Sequence, residues 1–246
     1  MTAAPDPVAP EALAALDPDG LGPRLAAIAA TWARYRAEGR RCFATSSFQS
    51  NSVVLLHLLH RFAPEVPVYF LHTGYHFPET LRFRRQLAQR LGLRVIDLVS
   101  PVSRAEQRDP AGRLLFTSDP DRCCHLNKVL PLDPVLAAHD VWINGVRGAQ
   151  SATRAAMGTE EPGRGGILRH HPILDWTGRE VWAYSRAHGL PGHPLEDQGY
   201  LSVGCAPCTR RLADEPDLGD ALDDRGGRWA GLTKTECGLH LNEGSP

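Results

Sequence analysis

The stretch RCFATSSFQSNSVVLLHLLHRF, residues 41–62, decides the fold. Residues 41–45 predict a short strand, 46–52 a small polar loop and 53–62 an apolar helix. Backbone N–H groups and the helix dipole converge at such a loop, and serine hydroxyls add further donors. The stretch therefore predicts an anion site, although serine and asparagine at a helix start also serve simply as N-caps.

Working outward, strands and helices alternate along the chain. Further strands are predicted at residues 66–71, 93–99, 141–144 and 167–174, and helices at 23–38, 78–91 and 178–188. This alternation predicts an α/β fold with a central, mostly parallel sheet flanked by helices. Ligands in such sheets bind at the carboxyl ends of strands, near a switch in strand order. The loops after Thr45 and Leu71 are therefore expected to open onto one site, whereas residues 158–166 are rich in glycine and charge and predict a loose segment.

Composition narrows the class of protein. The 246 residues are 42% hydrophobic and 22% charged, with a net charge of −1, so the total charge predicts neither a nucleic-acid nor a membrane partner. The first residues lack the basic region and apolar run of a signal peptide, and no apolar run is long enough to cross a bilayer. We therefore expect a cytoplasmic protein, in which the six cysteines serve metal binding, catalysis or burial rather than disulfides.

Four of the cysteines form a candidate metal site. Cys123 and Cys124 are adjacent, and Cys205 and Cys208 form a C-x-x-C loop. Four thiolates suit a 4Fe–4S cluster or a structural zinc, and a redox-active thiol pair is a third alternative. The contiguous pair favours the cluster, because zinc sites usually use two spaced pairs.

The end of the chain carries a candidate nucleophile. Cys237 stands three residues after Lys234 and three before His240. Positive charge nearby lowers a thiol pKa and favours the reactive thiolate. The alternative is a free cysteine in a frayed terminus. Upstream, Arg225-Gly226-Gly227-Arg228-Trp229 is either an anion clamp or a loop.

Taken together, these motifs resemble the assimilatory adenylyl-sulfate (APS) reductases of the sulfonucleotide reductase family, over residues 42–240. The resemblance rests on Cys123-Cys124 with Lys128, on Gly199-Tyr200 followed by 204–208, on Arg225 with 227–229, and on the tail 234–240. It implies an adenine-nucleotide hydrolase-like (PP-loop, Rossmann-like) fold. It also implies one 4Fe–4S cluster per chain on Cys123, Cys124, Cys205 and Cys208, with Cys237 as the nucleophile.

The activity implied by the resemblance is thioredoxin-dependent reduction of APS to sulfite and AMP through a thiosulfonate on Cys237, in sulfate assimilation and cysteine biosynthesis. Thioredoxin or a glutaredoxin-like protein is the expected donor, and a homo-oligomer is possible. The expected organisation is a flexible segment at 1–20, a nucleotide- and cluster-binding α/β domain at 21–208, and a mobile tail at 209–246 that includes an acidic linker at 214–224. The expected substrate contacts are Ser46, Ser47, Ser52, Thr73, Gly74, Lys128, Arg147, Arg225, Arg228 and His240.

The sequence departs from the family pattern at several anion contacts. Gln49 and Ser50 stand where glycine and alanine are typical, and Asn127 and Gly148 stand where arginines are typical. An expected lysine is replaced by one of two histidines, His170 or His171, and Arg147, Arg154 and Arg169 are the candidates to compensate. Three alternatives therefore stay open: a reductase of the 3′-phosphorylated substrate (PAPS), an ATP pyrophosphatase-like enzyme acting on another adenylylated substrate, and a non-enzymatic iron–sulfur redox protein.

Overall fold

The computed structural model describes residues 20–211, 227–228 and 239. Its strands are β1 (Cys42–Thr45), β2 (Val68–Leu71), β3 (Val95–Leu98), β4 (Val141–Asn144), β5 (Glu160–Pro162) and β6 (Leu168–His170). Its α-helices are α1 (Gly22–Ala37), α2 (Ser50–Phe62), α3 (Pro78–Arg90), α4 (Leu115–Ser118), α5 (Pro120–Cys124), α6 (Leu130–Ala138), α7 (Ala152–Ala155) and α8 (Gly178–Ala187). A π-helix, His125–Val129, joins α5 to α6.

The sheet has the order β3-β2-β1-β4-β6-β5. Every neighbouring pair is parallel except β5 with β6, which is antiparallel. The chain runs outward from β1 to β3 and then crosses to the other side of β1 to form β4, so the order switches between β1 and β4. The predicted α/β class with a mostly parallel sheet is confirmed, and the switch point lies at the carboxyl ends of β1 and β4.

Helices cover both faces of the sheet. Successive strand residues point to opposite faces, so Ala44 packs into the larger core with α1, α2, α3 and α8, while Phe43 packs into a smaller core. In that second core, Phe43 and Trp142 stack with ring centroids 6.2 Å apart against Leu132 and Leu136 of α6. The helix α2 is buried along most of its length, as expected for an apolar run with little polar face.

Three boundaries differ from the sequence prediction. The helix α2 begins at Ser50 rather than at residue 53, because its first turn is made of polar residues that give no hydrophobic signal. The segment 158–166, expected to be loose, contains the edge strand β5. The last predicted strand is shorter, because β6 spans just Leu168–His170. Pairing with β6 forms β5, and no local pattern of residues announces such tertiary pairing.

Two prolines, Pro131 and Pro134, follow the π-helix in the first half of α6. Pro131 cannot donate to the carbonyl of Asn127, and Pro134 cannot donate to that of Leu130, since proline has no N–H and its ring clashes with the carbonyl four residues back. The chain widens just before these positions, and the Leu130 N–H bonds to the His125 carbonyl. The widened turn directly follows the two adjacent cysteines.

None of the described helices is long and apolar enough to span a membrane. The predicted flexible start, the acidic linker and most of the predicted tail lie outside the described residues.

Candidate functional site

A cleft of about 180 Å³ opens at the switch point of the sheet. Its floor is formed by the residues that end β1 and β4, Thr45 and Asn144, and by the residues that follow them, Ser46 and Gly145. The loops after β1 and β2 both reach this cleft, as the sequence predicted.

The loop between β1 and α2 forms one wall of the cleft, and its backbone is strained at one residue. Phe48 has φ +56°, in the left-handed region that residues other than glycine seldom adopt. Its side chain is fully buried against Phe70, and its N–H donates to Ser46 Oγ at 3.1 Å. Ser47 Oγ lies 3.3 Å from Ser52 Oγ in the first turn of α2. The positive end of the α2 dipole and these hydroxyls therefore border the cleft.

Two of the departures from the family pattern have a structural role in the same loop. Ser50 Oγ accepts a hydrogen bond of 2.6 Å from the N–H of His193, which ties the start of α2 to a distant loop. Gln49 Oε1 accepts a hydrogen bond of 3.4 Å from the Ser202 hydroxyl. Both residues thus fasten the loop, and Gln49 and Ser202 also line the cleft.

Lys128, Arg154 and Arg228 bring positive charge to the cleft. Arg154 lies on α7 and donates to Gln150 Oε1. Arg228 is held by an antiparallel bridge between its own backbone and that of Thr209. Its guanidinium packs directly on Gly204, where a Cβ would collide with it. The absence of a side chain at Gly204 therefore lets Arg228 reach the cleft.

The four predicted metal ligands, Cys123, Cys124, Cys205 and Cys208, line one small cavity next to the cleft. Asp119 caps α5 by accepting the Arg122 N–H at 2.9 Å, which fixes the first pair. The N–H of Ala206 donates to the Tyr75 carbonyl at 2.7 Å, which fixes the second pair against the loop after β2.

The donor set fits an iron–sulfur cluster or another thiophilic metal, because it consists of four cysteine sulfurs, none of which is in a disulfide. In the described part of the chain, no three His, Cys, Asp or Glu side chains are arranged around the position of a single metal ion. The fit therefore rests on the identity and convergence of the four thiols.

Burial and the neighbouring thiolates of Cys124, Cys205 and Cys208 raise the pKa of Cys123 to about 12. Burial also raises the pKa of Cys208. A metal must therefore displace protons from these thiols as it binds.

Three residues, Thr73, Lys128 and Cys205, line both the cleft and the cysteine cavity. Thr73 Oγ1 accepts the N–H of Tyr75 at 3.2 Å and lies 3.3 Å from Cys205 Sγ. Since one lone pair of the hydroxyl is occupied by Tyr75, its proton is available for the sulfur. A single layer of side chains thus separates the two spaces.

Some of the predicted substrate contacts line the cleft, and others do not. Those that line the cleft are Ser46, Ser47, Ser52, Thr73, Lys128 and Arg228. Gly74 does not line it, and its carbonyl accepts from Arg104 Nη1 at 2.8 Å. Arg147 is buried elsewhere, with Nη1 donating to the Trp176 carbonyl at 3.4 Å. Arg225, Cys237 and His240 lie outside the described residues.

The residues predicted to compensate for missing cationic contacts also differ in whether they line the cleft. Arg154 lines the cleft, whereas Arg169 is buried and pairs with Glu161. His170 and His171 are buried as well, with ring nitrogens on Trp32 Nε1 and Asn144 Oδ1. Neither histidine lines the cleft.

Several cleft residues carry no sequence signal as ligands. The clearest is His76, whose Nε2 lies 3.0 Å from the Leu71 carbonyl oxygen and 3.4 Å from the backbone nitrogen of Thr73. Burial lowers the pKa of His76 to about 4, and its imidazole is therefore neutral near pH 7. His76 lies five residues after the end of β2, in the loop that the sequence predicts to open onto the site.

Comparisons with known proteins agree with this architecture. A family model described as "Phosphoadenosine phosphosulfate reductase domain" matches residues 41–211. A protein named phosphoadenosine 5′-phosphosulfate reductase from Gloeobacter violaceus is 40% identical over 83% of this chain and 86% of its own length. One named adenosine 5′-phosphosulfate reductase from Streptomyces coelicolor is 43% identical over 84% of this chain and 86% of its own.

Solved structures share the fold. The crystal structure of phosphoadenylyl-sulfate (PAPS) reductase from Candida auris superposes with a TM-score of 0.61 at 24% identity, over 73% of this chain and 88% of that one. The FMN adenylyltransferase of Candida glabrata superposes with a TM-score of 0.56 at 13% identity, over 80% and 70%. The family model covers well over half of the chain, and the curated relatives match most of it at about 40% identity. The chain therefore belongs to the phosphoadenosine phosphosulfate reductase family.

Proposed function

We propose that this protein is a thioredoxin-dependent adenosine 5′-phosphosulfate reductase, which converts APS to sulfite and AMP. The observation that carries the proposal is a cationic cleft at the switch point of the sheet, separated by one layer of side chains from four convergent cysteines. Membership of the sulfonucleotide reductase family makes a sulfonucleotide the fitting substrate for such a cleft.

Substrate binding follows from the charges around the cleft. The α-phosphate of APS would lie at the start of α2, where the helix dipole and the hydroxyls of Ser46, Ser47 and Ser52 favour an anion. Lys128, Arg154 and Arg228 would neutralise the phosphosulfate. Their largest contribution is expected when the bond to sulfur breaks and charge develops on the leaving phosphate oxygen.

In the chemical step, the Cys237 thiolate attacks the sulfur of the sulfo group. A bond forms between Cys237 Sγ and that sulfur, the bond from sulfur to the phosphate oxygen breaks, and AMP departs with the electron pair. A thioredoxin thiolate then attacks Cys237 Sγ and displaces sulfite, which leaves a mixed disulfide. The second thioredoxin thiol resolves this disulfide, so the two electrons gained by sulfur come from the thioredoxin dithiol.

Leu239 supports the tail as the source of the nucleophile. It lines the cleft and packs against the core that contains Phe43 and Trp142. Cys237 precedes Leu239 by two residues, and chain connectivity limits the separation of their α carbons to about 7 Å. Attack from Cys237 on a substrate in the cleft is therefore within reach.

The cofactor we propose is one 4Fe–4S cluster held by Cys123, Cys124, Cys205 and Cys208. When bound, it would supply a fixed charge and a covalent link between α5 and the C-x-x-C loop. Lys128, which lines both spaces, would be held by the helix that carries the first pair of ligands. The proposed steps assign the electrons to thioredoxin.

The described lining of the cleft argues against the alternative of an ATP pyrophosphatase. Enzymes that use Mg²⁺ with nucleotides hold it through one or two carboxylates and the phosphates. Among the described cleft residues there is neither aspartate nor glutamate. Gln49 presents an amide to the cleft rather than a carboxylate.

The test is the identity of the released products. Protein purified without oxygen is supplied with APS, PAPS or ATP together with reduced thioredoxin, and nucleotides and sulfite are quantified. The proposal expects AMP and sulfite in equal amounts from APS, with oxidation of one thioredoxin per turnover. Turnover of PAPS alone would replace the substrate, pyrophosphate release from ATP would replace the reaction class, and no turnover of any of them would contradict an enzymatic role.

The organisation of the chain forms part of the same proposal. We assign nucleotide and cluster binding to residues 21–208 and the catalytic tail to 209–246. The substrate roles of Gly74, Arg147, Arg225 and His240, the cytoplasmic location and a homo-oligomeric state stay predictions.

A further inference from the structure

A buried pair of amide side chains lies against one of the cluster cysteines. Gln107 and Asn127 are 1% and 2% exposed, and each donates to the other. Gln107 Nε2 lies 3.0 Å from Asn127 Oδ1, and Asn127 Nδ2 lies 2.6 Å from Gln107 Oε1. Asn127 Nδ2 also lies 2.9 Å from the carbonyl oxygen of Cys123 and 3.6 Å from its Sγ.

The orientation of both amides is fixed from outside the pair. Gln107 Nε2 lies 2.9 Å from the carbonyl of Val102, and a carbonyl can only accept. The Cys123 carbonyl imposes the same requirement on Asn127 Nδ2. Because the nitrogen of each amide faces a carbonyl outside the pair, the oxygen of each amide must face the other amide of the pair. One N–H of Asn127 therefore donates to Gln107 Oε1, and the other is directed at Cys123, where the carbonyl oxygen and Sγ share it.

The backbone places this donor. Residues 125–129 form the π-helix that precedes Pro131, and Asn127 lies in its middle. This widened turn sets the Asn127 side chain back over Cys123, four residues earlier. Gln107 comes from the irregular segment before α4, so the pair also fastens that segment to the cysteine helix.

Burying two amides is costly unless all their groups are satisfied, and apolar residues would fill the same space without that requirement. The pair therefore has a more specific use than packing. We infer that Gln107 and Asn127 form an outer-shell support for the cluster, in which Asn127 donates to Cys123 Sγ and Gln107 is the positioning residue that holds Asn127 in place. Outer-shell partners of this kind orient ligands, and their loss costs roughly 10–100-fold in metal affinity.

This inference rests on the proposed cluster, and its test reads the metal rather than turnover. Anaerobically purified protein is mixed with an excess of an iron chelator, and the loss of the visible cluster absorbance is followed with time. Asn127→Asp keeps the shape and the acceptor for Gln107 but removes the N–H donors to Gln107 Oε1 and to the carbonyl oxygen and Sγ of Cys123. It should release iron on the order of 10–100-fold faster than the wild type. Gln107→Leu should accelerate release by a smaller factor, because Asn127 keeps its contact with the Cys123 carbonyl.

The control is Thr80→Val, which removes a comparable buried hydrogen bond to His193, 3.0 Å long, in a part of the fold that lines neither space. This variant should lose thermal stability without faster iron release. If Asn127→Asp fails to fold, Gln107→Leu and the control still separate cluster support from general destabilisation. Equal release rates for the Gln107 and Thr80 variants and the wild type would overturn the inference and leave the proposed function intact. Wild-type protein with neither iron nor sulfide would overturn both.

Discussion

The cysteine cavity and the nucleotide cleft share a wall, yet they are built in different ways. The cavity takes its four sulfurs from two short segments, 123–124 and 205–208, each held by local caps and turns. The cleft takes its polar groups from the ends of several strands, from α7 and from residue 228, which is far along the chain. Because metal ligation admits few residue types at few spacings, the cavity is rigidly specified, whereas anion binding can be redistributed among many donors.

The predicted departures from the family pattern fall in both regions. Gln49 lines the cleft, whereas Asn127 lines the cysteine cavity. Ser50 and Gln49 now hold the loop through His193 and Ser202, while Arg154 faces the cleft from α7. Lys128, Arg154 and Arg228 together make the lining of the cleft cationic.

The largest effect is expected from a substitution that alters the cysteine cavity and leaves the cleft unchanged. Cys208→Ala removes a thiol that lines the cavity but not the cleft. We expect loss of most of the bound iron and of the visible cluster absorbance, since one iron would lose its protein ligand. Iron and sulfide analysis of anaerobically purified protein measures this. Cys42→Ser is the matched control, because Cys42 is a free thiol of β1 that lines neither space. Full iron content in Cys208→Ala would remove that residue from the ligand set.

An intermediate effect is expected from a substitution that alters the cleft and leaves the four cysteines unchanged. Gly204→Ala places a methyl group where the Arg228 guanidinium now lies, and the flexible arginine must turn away. Loss of one charge-assisted hydrogen bond, worth about 1.5–3 kcal/mol, should raise KM for APS roughly 10–150-fold. Steady-state kinetics gives this number, and iron analysis of the same sample should match the wild type. Gly178→Ala is the comparison, since Gly178 does not line the cleft and a Cβ there would make an ordinary contact, 3.8 Å from Arg147 Nη1. An unchanged KM in Gly204→Ala would show that Arg228 does not contact the substrate.

The smallest expected effect concerns the scaffold beneath both regions. Burial lowers the pKa of His193 from 6.5 to about 4. Between these values the unfolded chain binds a proton that the folded chain does not, so the stability contributed by this group falls as pH drops from about 6.5 to about 4. In His193→Gln the slope of unfolding free energy against pH should decrease by up to about 1.4 kcal/mol per pH unit.

Denaturant unfolding at several pH values between 4 and 7 checks the sign. Stability that falls equally steeply in the variant and the wild type would contradict the assignment to His193. Iron content is expected to stay the same in both proteins near pH 7.

The sequence predicts the layered sheet, and the four cysteines that it singles out lie in one cavity; the reason is local. Apolar runs bounded by polar loops are visible without knowledge of their partners, and two cysteine pairs limit the chemistry by themselves. The edge strand β5, by contrast, exists because Glu160–Pro162 pairs with β6, which no local pattern reveals.

The direction of individual side chains is equally hidden from the sequence. Arg147 and Arg154 both follow β4, yet the first is buried at the Trp176 carbonyl and the second lines the cleft. The place of Arg228 depends on the bare backbone of Gly204 more than twenty residues earlier. Which arginines line the cleft is therefore decided by tertiary packing rather than by local sequence.

The central claim is that sulfo transfer takes place in the cleft on Cys237, while the cavity cysteines stay bound to the cluster. The most direct test is a single turnover with APS in the absence of thioredoxin, followed by intact mass and peptide mapping. We predict one added sulfo group on Cys237, an equal amount of released AMP, and no modification in Cys237→Ser. A sulfo group on Cys42 or on a cavity cysteine, or AMP release without any modified cysteine, would contradict the account.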